Sequence, residues 1–270
     1  MRLDRAPLAP DALTSDFVVS LHERSERDRL GLFIAEGLRF FMAARDACAP
    51  IAGVVLCPKL LPRGVLDEVS RHVARLRVHR LDVSDREFTA LSNAAEPSGL
   101  LIVAWQRWCG LPDRVTRDDL WLGLETVRAP GNLGTLIRSA AAFGAKGVMA
   151  FGPPRMRCDP FDPRAVRASM GAIFQLSFVG TSHAEFRSWN ARHGMRVLGA
   201  SCDAPVELRR VNLKGSLVFM LGGEREGLSE GQRGSCDGFV RIPTVAGVDS
   251  LNVAQAATVL LYEGRVQRRK

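Results

Sequence analysis

From Leu120 onward the chain repeats one pattern: a short, almost wholly apolar run, then a longer stretch whose apolar positions fall three and four residues apart. The runs cover 120–124, 147–151, 175–179, 196–200, 217–221 and 239–242. A run without polar alternation predicts a strand buried on both faces, and stretches such as Leu136, Ala140 and Phe143 predict the helices that cover those faces. The alternation therefore predicts an α/β domain built on a parallel sheet, in which ligands bind beyond the carboxyl ends of the strands. None of the runs is followed by a GxGxxG loop, so a nicotinamide-type dinucleotide site is poorly supported.

Upstream the periods are shorter and more mixed. After an N-terminal extension at 1–16, residues 17–105 contain a helical stretch at 36–47 and apolar strand candidates at 51–57 and 100–105. They predict a small α/β domain of their own. Residues 106–119, with Gly110, Pro112 and charges in no period, predict a linker, which leaves 120–270 as the second domain.

Composition narrows the class only a little. Hydrophobic residues at 46% and charged residues at 24% are ordinary for a globular chain, and no apolar run approaches the roughly 18 residues a bilayer span needs. The first ten residues lack the apolar core of a secretory signal, so a cytoplasmic protein without membrane contact is expected. The formal charge of +8 favours a polyanionic partner. Yet Lys59, Lys146, Lys214 and Lys270 are the only lysines among 37 basic residues, and a GC-rich genome produces the same arginine bias. Six cysteines are scattered, with no CxxC pair and no histidine at zinc-ligand spacing, so free thiols and no metal site are expected.

The chemistry concentrates in three loops at predicted strand ends. The first reads Val127-Arg128-Ala129-Pro130-Gly131-Asn132-Leu133-Gly134; its proline and glycine form a turn, Asn132 is a good helix N-cap, and Arg138 lies one helical turn beyond Gly134. The second, Gly222-Gly223-Glu224-Arg225-Glu226-Gly227-Leu228, sets glycines around an acid after the strand that ends at Leu221, permitting close backbone approach to a small molecule. The third runs from Ile242-Pro243 to Ser250-Leu251-Asn252 and leads into a helix at 253–265. Taken singly, each could be a capped helix or a plain turn.

Together, in this order and spacing, they resemble the three motifs of the SpoU (TrmH-type) RNA 2′-O-methyltransferases of the SPOUT superfamily: Asn132-x-Gly134-x-x-x-Arg138, Gly222-x-Glu224-x-x-Gly227-Leu228, and Ile242-Pro243 through Ser250-Leu251-Asn252. Arg167-Ala168-Ser169-Met170-Gly171 is similar to that family's Ser-x-Gly turn. Arg24 to Arg29, Phe33 to Gly37 and Glu96 to Gly99 resemble the small RNA-binding domain that precedes the catalytic domain in many members.

The resemblance implies a C-terminal deep trefoil knot, an exception to unknotted folding, with S-adenosylmethionine as cofactor and a homodimer as the working form. It implies catalytic roles for Arg138, Asn132, Glu224, Ser250 and Asn252. Leu221, Gly222, Gly223, Ile242, Pro243 and Leu251 would hold the cofactor, and Arg24, Arg27, Arg29, Arg39 and Ser169 would contact RNA, ribosomal more than transfer RNA. Arg128, Arg225 and Gln255 depart from the common pattern outside its core positions. The apolar stripe Ala254, Ala257, Leu260, Leu261 suits either a dimer face or the monomer core. Two competing readings are a fold of this kind kept for RNA binding without turnover, and a knotted methyltransferase acting on a base.

Overall fold

The computed structural model describes residues 8–245 and 250–268. The chain divides into two compact units, Met1–Gln106 with Phe161–Gln175, and Arg107–Pro160 with Leu176–Lys270. In chain order the elements are α1 (Ser15–Ser20), α2 (Arg24–Leu30), β1 (Leu32–Glu36), α3 (Leu38–Asp46), β2 (Ile51–Leu56), α4 (Arg63–Leu76), β3 (His79–Asp82), α5 (Asp85–Leu91), β4 (Leu100–Trp105), β5 (Trp108–Cys109), β6 (Leu120–Leu124), α6 (Pro130–Ala142), β7 (Gly147–Phe151), α7 (Pro163–Ala168), β8 (Ser177–Thr181), α8 (His183–His193), β9 (Arg196–Ala200), β10 (Val206–Glu207), β11 (Leu217–Leu221), α9 (Glu230–Arg233), β12 (Gly238–Arg241) and α10 (Val253–Arg268).

In the first unit the strand order is β1-β4-β2-β3, with β4 antiparallel to both neighbours and β3 parallel to β2. Val54, Val55 and Leu56 in β2 are fully buried, and Leu21, Ile34, Phe88 and Val103 belong to the core that includes Val55. Burying each such side chain contributes about 1.5–3 kcal/mol. The segment around α7, assigned from the sequence to the second domain, belongs to this unit, where the rings of Phe161 and Phe174 both pack, tilted, against Phe33. Three well-separated aromatic side chains gain more from one shared core than from solvent exposure.

The arginine-rich helix α2 distributes its charges unevenly. Arg27 is 2% exposed, and its Nη1 donates to Leu21 O at 3.0 Å and to His22 O at 2.6 Å. These carbonyls lie at the end of α1, where no intrahelical donor reaches them, so the guanidinium acts as a tie. Arg27 is therefore not the RNA contact its neighbourhood suggested. Ser169 is not one either: it is fully buried, and its Oγ donates to Val166 O at 2.6 Å. On the surface of α2, Arg24 pairs with Asp28 at 3.3 Å and Arg29 with Glu26 at 2.6 Å, helix-spaced pairs that stabilise little.

The second unit carries the predicted parallel sheet, in the order β10-β12-β9-β11-β6-β7-β8-β5, every pairing parallel. β6, β7 and β11 are buried along their whole lengths, as strands covered on both faces must be. α10 packs on α6 and β11 through Ala254, Ala257, Leu260 and Leu261, so the ambiguous stripe faces this unit's own core. The 106–119 stretch is not a free linker. Its Trp108–Cys109 pairs with β8 as an edge strand, Gln106 is buried, and Trp189 Nε1 donates to Pro112 O at 2.8 Å. A two-residue strand carries too little pattern to be read from sequence.

Removing the Arg27 side chain leaves buried carbonyls without donors, so Arg27→Ala is expected to lower the unfolding free energy by about 2–4 kcal/mol in a urea titration, against less than about 0.5 kcal/mol for Arg29→Ala. The Cys236 thiol is pushed up to about 12, chiefly by burial and secondarily by Asp237. Thiol reagents at about pH 8 should accordingly label the exposed Cys48, Cys109 and Cys202 well ahead of Cys236, as peptide mapping of the labelled protein would show.

Candidate active site

The three loops leave the carboxyl ends of β6, β11 and β12, and β6 lies directly beside β11. α6 begins at Pro130, with Ala129 as its N-cap, because proline presets the helical φ and its missing N–H would have no partner there anyway. The helix thus starts earlier than expected, and Asn132 is not its cap. Its side chain is left to bridge the loops instead. Asn132 Nδ2 donates to Glu224 Oε1, and Asn132 Oδ1 accepts from Asn252 Nδ2 at 3.2 Å. Asn252 Oδ1 in turn accepts from Ala254 N at 2.9 Å, fixing the start of α10. One chain of side chains joins all three motifs.

The second loop is a tight hairpin. Gly223 N donates to Gly227 O at 2.9 Å and Gly227 N to Gly223 O at 3.1 Å, with Gly227 at a left-handed φ of 65°. A Cβ on Gly222 would lie 2.0 Å from the Gly227 carbonyl carbon, so only glycine fits there. The exposed tip presents Glu224 to Asn132 and Glu226 to Arg128, the latter as a 2.7 Å ion pair. Arg128 has a counter-charge from the second motif.

Behind the loops lies a group that the sequence reading missed. Glu125, the first residue after β6, accepts from Ser229 Oγ and lies 3.4 Å from His183 Nε2, whose ring stacks on Phe151 at 4.7 Å. Ser229 caps α9 in a reciprocal capping box with Gln232, and buried Gln232 donates Nε2 to Leu221 O at 2.8 Å. The Ser229-x-x-Gln232 spacing was the available signal. Leu221, expected at the cofactor, is a core residue at 2% exposure whose carbonyl accepts from Gln232.

Gly222, Gly223, Ile242 and Leu251 are half-buried, while Pro243 and Ser250 are exposed. Residues 246–249 of the third loop lie outside the described residues. Arg138 is exposed and has no partner among the described residues; it lies about 9 Å along the axis of α6 from Asn132, outside the bridge. In the first unit, Arg39 is likewise exposed and unpartnered among the described residues.

A parallel α/β sheet with three strand-end loops locked by an Asn-Asn-Glu bridge defines the class, and the comparisons give the family. The profile of the SpoU rRNA Methylase family matches residues 119–262, and that of an MRM3-like substrate binding domain matches residues 17–102. The chain belongs to the SpoU rRNA Methylase family. It is 29% identical over 259 residues, 92% of this chain and 87% of the relative, to a 23S rRNA (uridine(2479)-2′-O)-methyltransferase of Streptomyces viridochromogenes. It is 36% identical over 248 residues, 91% of this chain and 73% of the relative, to an uncharacterized tRNA/rRNA methyltransferase of a Mycobacterium species. Among solved structures it resembles the AdoMet-bound rRNA methyltransferase of Sinorhizobium meliloti, at a TM-score of 0.85 and 26% identity with 97% of both chains covered. It also resembles the SpoU methyltransferase AviRb of S. viridochromogenes in complex with AdoMet, at 0.86 and 28% with 95% and 98% covered.

If the bridge acts as a unit, Asn132→Ala and Glu224→Ala should be non-additive. A double-mutant cycle on unfolding free energy is expected to return a coupling of about 0.5–3 kcal/mol, whereas Asn132→Ala with the distant Arg138→Ala should add within about 0.5 kcal/mol.

Proposed function

We propose that this chain transfers a methyl group from S-adenosylmethionine to a ribose 2′-hydroxyl of ribosomal RNA. The observation that carries the reading is the bridge Asn252–Asn132–Glu224, which binds the three motif loops into one constellation at the strand ends. The relatives named as 23S rRNA 2′-O-methyltransferases and the AdoMet-bound neighbours support the reaction and the cofactor.

The residues at the strand ends fit the cofactor. Gly222 leaves no room for a side chain, and half-buried Ile242 and Leu251 offer apolar surface without charge, the surroundings that hold a purine nucleoside by shape and peptide groups. Gly222, Gly223, Ile242, Pro243 and Leu251 would hold it, and when bound it supplies an electrophilic methyl carbon. The protein's task is to hold the ribose oxygen at near-attack distance and to accommodate the charge that develops on it. Arg138, free to turn toward RNA, clamps a phosphate and stabilises the forming alkoxide. A guanidinium offers donors only and no lone pair to take a proton, so the hydroxyl proton leaves to another acceptor or to water. Asn132, Glu224 and Asn252 keep the loops in register, and Ser250 orients the ribose.

The same reading includes a deep trefoil knot in the C-terminal part of the chain, as the family resemblance implies. It includes a homodimer, for which exposed Val259 and Tyr262 on the outer side of α10 offer apolar surface, and a cytoplasmic place of action.

Label from tritiated S-adenosylmethionine should appear in a 2′-O-methylnucleoside after digestion of ribosomal RNA from a strain lacking the gene. Arg138→Ala should lower that transfer roughly 100- to 1,000-fold while leaving cofactor affinity unchanged. A labelled base, or transfer by the variant at the wild-type rate, would overturn the assignment.

A further inference from the structure

We infer that the first unit holds a pocket for one unpaired RNA nucleotide, its phosphate on Arg39 and Arg167 and its base in the apolar cleft beside Met170. The inference rests on the reading of the chain as an RNA-modifying enzyme. The cavity, about 300 Å³, opens where the end of β1, the start of α3, the 91–98 connection and α7 meet. That volume is at the lower end of small-ligand pockets, roughly 300–1,000 Å³.

Buried Ile34, Phe40, Leu101 and Val166 give the cleft an apolar floor. Its polar wall is fixed in advance. His22 Nε2 lies 3.0 Å from Leu91 O and His22 Nδ1 lies 2.6 Å from Asn93 Nδ2, which together fix the orientation of the ring. The Glu36 carboxylate, which would repel an anion, accepts from Ser98 N at 2.9 Å and Ser92 Oγ at 2.6 Å and is thereby satisfied within the wall. Arg167 uses Nη1 to hold Asn93 O at 3.1 Å, leaving the rest of its fork uncommitted among the described residues, and Arg39 has no partner among them. Glu96 on the same lining is exposed and unpartnered among the described residues, placed to accept from a base amino group. Two arginines and an apolar floor on one lining, with acceptors among the same residues, match the phosphate, the flat face and the polar edge of a splayed-out nucleotide.

The rim residue Met170 is the second, independent sign. It has a left-handed φ of 54° and is 39% exposed. A non-glycine residue adopts that conformation at an energetic cost and keeps it where its surroundings over-determine it, often at a ligand clamp. Here the turn is pinned on one side by buried Ser169, bonded to Val166 O. On the other it is pinned by Gly171, where an added Cβ would lie 3.0 Å from Ala43 Cβ. The outcome is an exposed, polarizable thioether held at the lip of the cleft, suited to lie against an aromatic face.

The test uses the full chain with methyl-labelled methionine, titrated with the four ribonucleoside 5′-monophosphates, with inorganic phosphate, and with a short single-stranded RNA. The Met170 methyl resonance should move with at least one nucleotide and not with phosphate. Arg39→Ala and Met170→Gly should each weaken single-stranded RNA binding roughly five- to hundredfold. Arg39→Ala should also reduce the salt slope by about 0.7. Met170→Gly should keep or raise the melting temperature, since glycine adopts the left-handed turn freely. A silent Met170, an equal response to phosphate alone, or unchanged RNA affinity in both variants overturns the pocket. Because no readout needs turnover, a chain that binds nucleotides at Met170 yet transfers no methyl group would overturn only the proposed reaction.

Discussion

The site depends on one carboxamide. Asn132 donates to a carboxylate from the second motif and accepts from an amide of the third, and only a side chain with both a donor and an acceptor on one rigid plane can do this. An aspartate there would face Glu224 with like charge, and a leucine would leave both partners without it. The bridge is available because Pro130, not Asn132, starts the helix. Had the asparagine capped α6, its oxygen would have been consumed by the backbone.

Everything beneath that bridge serves to hold its partners still. The Gly223–Gly227 hairpin is closed by two backbone bonds and allows nothing larger than glycine at 222. Glu125, Ser229 and Gln232 anchor its return to the sheet, the last through the carbonyl of Leu221. Preorganised polar groups of this kind act on developing charge without reorganising as it forms, which is what a transfer step with little covalent chemistry of the protein's own requires. Arg138 stands apart from the network, exposed and unpartnered among the described residues, as the phosphate clamp proposed for it requires.

The basic charge of the chain does not say which of its arginines are open to a polyanion. Of the arginines grouped near the N-terminus, Arg27 is buried as a tie between helix ends, and Arg24 and Arg29 are paired within α2. Arg39 stays unpaired among the described residues, beside a cleft whose own carboxylate, Glu36, is already satisfied. Net charge measures the field far from the protein. Contacts depend on which guanidinium groups the fold leaves without an internal partner.

The sequence by itself determined the parallel sheet, because short apolar runs such as 120–124, 147–151 and 217–221, alternating with stretches of helical period, fit strands covered on both faces by the helices between them. It determined the three loops as well, since turn-forming and acidic residues at strand ends leave a local trace. The edge strand at Trp108–Cys109, the transfer of Phe161–Gln175 to the first unit, the burial of Arg27 and Ser169, and the Glu125–Ser229 anchor were decided only by the tertiary structure. The strand, the transferred segment and the anchor depend on partners distant in sequence, and the two buried side chains, though bonded to near neighbours, are covered by elements that only the fold brings over them; a residue's local pattern carries no information about either.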